Sequence, residues 1–163
     1  MREFTEEEKN DIIDLKDDEK IKKKYGYEAL CYHSLYCTKL NICMLDFSVT
    51  AYEQLVNVKK ISLDIHEVEN PKDHMFNEDY LYGRIQKGID MLVDDFNVDI
   101  EDINKYRKET TDEKELKALD EYEREFIEYD NKRKEYEKRL KEALNKMSEV
   151  KLSDEHKSNP EGE

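Results

Sequence analysis

Residues 25–63 read YGYEALCYHSLYCTKLNICMLDFSVTAYEQLVNVKKISL, and 23 of these 39 residues are apolar or aromatic while six are charged. Glu28, Asp46 and Glu53 cancel Lys39, Lys59 and Lys60, so the remainder of the chain carries the whole formal net charge of -14. This is the stretch that everything else has to cover. From Tyr27 the pattern is apolar nearly all round, as expected for a central helix packed on several sides. Beyond Asn41 two conformations compete. Leu45, Phe47, Val49 and Ala51 alternate with Asp46, Ser48, Thr50 and Tyr52, and Ile61, Leu63 and Ile65 alternate with Ser62, Asp64 and His66, which is strand periodicity. Against it, Thr50-x-x-Glu53 is a capping box, and Ala51, Leu55, Val58, Ile61, Ile65 and Val68 share one face of a helix that Asn70-Pro71 would end. The preferred reading is two helices. The alternative is an α+β arrangement with a small two-stranded hairpin within 42–66.

Composition supports the all-α reading. A charged fraction of 43% with two prolines and four glycines is far from a sandwich or barrel, which needs turn residues at every corner, and close to that of long helices. At 163 residues one domain can bury most of its apolar surface without a metal or disulfide staple, so no cofactor is expected. The expected organisation is a single helical domain over 1–152, its last part a long C-terminal helix over 112–152, followed by a disordered acidic tail over 153–163. Cys31, Cys37 and Cys43 make an odd count with no Cys-x-x-Cys pair. They predict buried, reduced thiols in a cytoplasmic protein. Lys39, Asn41 and Asp46 interrupt the best candidate membrane span. Lysine and isoleucine dominate over arginine and alanine. That bias fits an AT-rich genome, bacterial or phage, and hence a host cytoplasm in the phage case.

Working outward, Thr5-Glu-Glu-Glu8 is a capping box with an acidic first turn and starts a helix that should run to a stop near Gly26. Asn70, Pro71, Asn77 and Asp79 mark a connector. Tyr80, Leu81, Ile85, Ile89, Leu92, Val93 and Phe96 then recur at three and four, giving an amphipathic helix that should pause at Asn97 before a short helix capped by Asp99. Leu119, Tyr122, Phe126, Tyr129, Arg133, Tyr136, Leu140, Ala143, Met147 and Val150 form a heptad seam between charged flanks. The seam suggests a coiled-coil-like contact and allows a homodimer, with Tyr122, Phe126, Tyr129, Tyr136 and Leu140 as the self-association residues.

Motifs for chemistry fail on inspection. Gly83-Arg-Ile-Gln-Lys-Gly88 has P-loop glycine spacing, but Ile89-Asp90 stands where Lys and Ser or Thr are required. Asp95-Phe-Asn97-Val-Asp99 imitates an EF-hand start, yet Ile100 replaces the turn glycine and Tyr106 the bidentate glutamate. His33 and Cys37 are one helical turn apart, and two ligands do not make a metal site. No nucleophile elbow or dinucleotide fingerprint occurs. Leu92 to Ile103 resembles the helix, tight turn and second helix of a helix-turn-helix unit, with Asn97 at the left-handed turn position. The resemblance implies a second helix in the DNA major groove. The first turn of that helix carries Asp99, Glu101 and Asp102, which phosphates repel, so no direct nucleic-acid binding is expected.

Charge layout is the remaining signal. Between Gly88 and Asn104 six carboxylates (Asp90, Asp94, Asp95, Asp99, Glu101, Asp102) stand without a basic residue. They predict a non-enzymatic protein that meets a protein with a basic surface. Such a chain would act as an inhibitor or adaptor on a nucleic-acid-binding protein or nuclease, for example a phage-encoded anti-defence or anti-CRISPR type inhibitor. The alternatives are a scaffold dimerising through the C-terminal helix, and an antitoxin or helix-turn-helix-like regulator.

Overall fold

The computed structural model describes residues 2–62 and 78–158. Nearly all of these lie in five helices, with no strand among them, so the chain is an all-α helical bundle. The helices are α1 (Glu6–Leu15), α2 (Asp18–Tyr25), α3 (Tyr27–Ser62), α4 (Glu78–Glu109) and α5 (Glu113–Ser158). No described helix is long and apolar enough to cross a membrane.

The N-terminal capping box forms as the residue types dictate: Thr5 Oγ1 accepts from Glu8 N at 3.1 Å, and Thr5 N donates back to Glu8 Oε1 at 3.0 Å. The expected single helix over this region is instead two. Lys16 takes a left-handed conformation with φ 53°, and Asp17 caps α2 by accepting from the amides of Glu19 and Lys20. Geometry explains the break. Ile12 and Ile21 are nine residues apart, about two and a half turns at 3.6 residues per turn, and would point to opposite sides of one straight helix. Breaking the helix lets both bury completely in one cluster with Phe4, Ala29 and Leu30. Gly26 ends α2 at φ 86°, a conformation that a residue with a Cβ resists, and α3 starts at the next residue.

α3 is one helix of 36 residues rather than two, and the hairpin alternative fails over 42–62; positions 63–66 lie outside the described residues. Thr50 does not cap. Its hydroxyl reaches back 3.5 Å to Asp46 Oδ1 within the helix. Leu45, Val49, Tyr52 and Val56 are buried at intervals of four, three and four, so helical burial overrides the local alternation. Phe47, placed on the same face as Leu45 by the strand reading, is 78% exposed.

The chain forms two compact units, residues 1–42 with 91–132, and residues 43–90 with 133–163. In the first, Cys31 and Leu35 of α3, Ile103 of α4, and Leu119, Tyr122 and Phe126 of α5 make a buried cluster edged by Phe96, Ile100, Tyr106 and Tyr129. Tyr27 links the start of α3 to the end of α4, donating to Glu109 Oε2 at 2.6 Å while its ring lies 4.8 Å from that of Tyr106. In the second, Ile85, Ile89, Leu140, Ala143 and Met147 are buried together with the inner residues of α3. Arg139 of α5 there binds the Glu53 carboxylate of α3 and sits 3.9 Å from Asp46. The heptad seam of α5 is therefore spent inside the chain: Tyr122, Phe126 and Leu140 are buried, and Tyr129 and Tyr136 half-buried. α5 continues past Leu152 to Ser158, where the sequence reading placed a disordered tail; no helix breaker stands before Pro160.

Two thiols also depart from expectation. Cys31 is buried, but Cys37 and Cys43 are exposed.

Phe126→Ala should lower the unfolding free energy by about 3–5 kcal/mol in denaturant titration, as for other large core truncations. Tyr52 is fully buried with a hydroxyl that has no hydrogen-bond partner. Tyr52→Phe should therefore leave stability unchanged or raise it by about 1 kcal/mol, since an unsatisfied buried hydroxyl is removed without changing the packing.

Candidate functional site

α4 runs unbroken from Glu78 to Glu109, straight through Asn97, so the turn of a helix-turn-helix unit does not exist. Asparagine inside a helix costs about 0.7 kcal/mol or less relative to alanine. The inward stripe Phe96, Ile100 and Ile103 spans the position and outweighs that cost.

On this continuous helix the six carboxylates separate. Asp95, Asp99 and Asp102 recur at four and three and form one row. Asp94 and Glu101, both exposed, lie on the other side of the exposed Met91 and Val98. These five belong to the first unit. Asp90 belongs to the second, where Gln86 Nε2 donates to its Oδ1 at 3.2 Å.

The row is not a plain solvated face. Asp99 is half-buried against α3, where the Ser34 hydroxyl hydrogen-bonds it. Burial, followed by the neighbouring charges of Asp95 and Asp102, pushes its carboxyl up to about 7. Asp102 is raised in the same direction by burial, with Asp18 and Glu101 adding repulsion and Lys105 opposing them. The same field reaches the thiols. Cys37 is raised by burial and by Asp99 and Asp95, and Cys31 is pushed up to about 12 by burial, with Asp99 the largest electrostatic contributor. Neither is a nucleophile in this setting.

No basic side chain forms an ion pair with any of the five carboxylates among the described residues. Lys105 acts on Asp102 without an ion pair, and Arg107, further along α4, is committed to α5: it binds Asp120 at 2.9 Å and Glu123 at 2.5 Å and also contacts Asn104. The His33–Cys37 pair gains no third ligand, and no group of three His, Cys, Asp or Glu able to hold a metal occurs among the described residues.

The sequence located the acids but missed Ser34, whose hydroxyl bonds Asp99. Only the packing of α3 against α4, between residues more than sixty positions apart, could reveal it. Comparison with protein-family models, with curated proteins and with solved structures finds no match.

The sign of the Asp99 effect follows from linkage. Between the ordinary value of 3.8 and about 7 the folded chain holds a proton that the unfolded chain has released, so raising the pH through this window destabilises the fold. Asp99→Asn keeps an acceptor for Ser34 and removes the titration. It should melt at a higher temperature than the wild type above about pH 7, with the difference vanishing near 3.8, the ordinary carboxyl value. Calorimetry of the two proteins across this range checks it.

Proposed function

We propose that this chain is a non-enzymatic protein-binding protein that sets the acidic face of α4 against a basic surface on a nucleic-acid-binding protein or nuclease, as an inhibitor or adaptor. One observation carries the reading: Asp95, Asp99 and Asp102 stand in a row with no ion pair among the described residues, Lys105 acting on Asp102 without pairing with it, and the middle carboxyl is held near 7 by burial and by its neighbours. A lysine or arginine supplied from outside would relieve that repulsion, whereas a phosphate would add to it. The exposed Met91 and Val98 between the acidic rows would give such a contact an apolar centre with a charged rim. With Asn97 inside an unbroken helix, the DNA-binding alternative loses the turn on which it rested.

Exposed carboxylates contribute about 0–1 kcal/mol each, but a one-signed cluster raises the association rate and makes it salt-dependent. The test uses a partner captured from host lysate and then purified. Its affinity for this chain should fall steeply as salt rises. Changing Asp94, Asp95, Asp99 and Asp102 together to Asn should weaken binding about tenfold or more, mostly through the association rate, with helicity retained. Unchanged binding would reject the acidic-face mechanism, as would a variant that keeps the partner and gains affinity for duplex DNA.

A further inference from the structure

We propose that a second copy of this chain docks antiparallel along the outer face of α3, with Phe47 of each copy seated over Ala51 of the other. Met44, Phe47, Ala51, Gln54 and Val58 follow one another at three, four, three and four, the spacing of a coiled-coil seam. They lie away from the buried residues Leu45, Val49, Tyr52 and Val56. Met44 is 61% exposed, Phe47 78% and Val58 58%, so two large side chains and a valine share one stripe in solvent. Single exposed apolar residues need no explanation, but an aligned row of them on one helix marks a contact surface.

The absence of charge selects the occupant. In a chain that is 43% charged, only Asp46 and Glu53 are charged between Cys43 and Val58, and both face Arg139 of the same unit. The positions flanking the seam are Cys43, Ser48, Thr50, Leu55 and Asn57, none of them charged. A cationic partner drawn to a chain of net charge -14 would find nothing to pair with on this face. A like-charged copy is repelled over most of its surface and can approach here without placing carboxylate against carboxylate.

Shape then selects the direction. A parallel pair would stack Phe47 on Phe47 and Ala51 on Ala51, crowding one layer and emptying the next. An antiparallel pair centred near Val49 alternates large and small, Phe47 over the partner's Ala51 and Met44 over the partner's Gln54. It also opposes the two helix dipoles. The contact is isologous and closes on itself, so it yields a dimer rather than a filament. It is also independent of the acidic face, and of the α5 seam that is buried inside each copy.

Sedimentation equilibrium of the full chain should give twice the 19.7 kDa chain mass at submillimolar concentration. Phe47→Glu should return it to 19.7 kDa with unchanged circular dichroism, because Phe47 makes no core contact to lose. Ile127→Glu, at an exposed apolar position of α5, should leave the dimer intact. For the register, Met44→Cys and Gln54→Cys are introduced together with Cys37→Ser and Cys43→Ser. The double-cysteine chain should form an interchain disulfide under mild oxidant, and neither single-cysteine chain should. A wild type that sediments as a monomer overturns the proposal and leaves the stripe to another occupant. A Phe47→Glu dimer moves the interface elsewhere, and cross-linking of the Met44→Cys chain alone overturns the antiparallel arrangement.

Discussion

Burial along one face of α3 is the constraint on which the rest depends. Cys31, Leu35, Ile42, Leu45, Val49, Tyr52 and Val56 are all withdrawn from water on a single unbroken helix. Each large aliphatic or aromatic side chain so buried contributes about 1.5–3 kcal/mol, far more than the few tenths to one kcal/mol by which local propensity favours a break or a strand at any one position. That imbalance is why Thr50 sits inside the helix instead of capping a new one. The same imbalance holds α4 straight through Asn97.

Arginine is scarce in this chain, and three arginines serve as internal ties. Arg107 joins α4 to α5 through Asp120 and Glu123, and Arg139 joins α5 to α3 through Glu53. Arg133, nearly buried on the α5 seam, pairs with Glu137 one turn on. The guanidinium fork suits such bidentate links better than lysine does. On α4 itself burial, then the neighbouring Asp95 and Asp102, raises the Asp99 carboxyl, while Lys105 opposes the repulsion at Asp102.

Two surfaces of opposite character result. One is charged, wet and salt-sensitive on α4 of the first unit; the other is neutral and apolar on α3 of the second. On the readings proposed above they would take different companions, the first by long-range attraction and the second by displaced water.

The sequence by itself determined the fold class, the capping box at Thr5, the stop at Gly26, the apolar spacing along α5 and the position of the acidic run. Each of these rests on residue type or on spacing within a few turns. It misjudged continuity at Lys16, Thr50 and Asn97, because a helix persists or breaks according to whether its apolar residues all reach one core, and Ile12 with Ile21 cannot do so on a straight rod. It also read the apolar stretch as a helix packed on several sides, without showing which side stays open. Which face of α3 is inner depends on where α4 and α5 lie, and that long-range packing left Phe47 in solvent. The elevated carboxyl of Asp99 was invisible for the same reason: desolvation and a hydroxyl from Ser34 come from tertiary neighbours, and no local spacing encodes them.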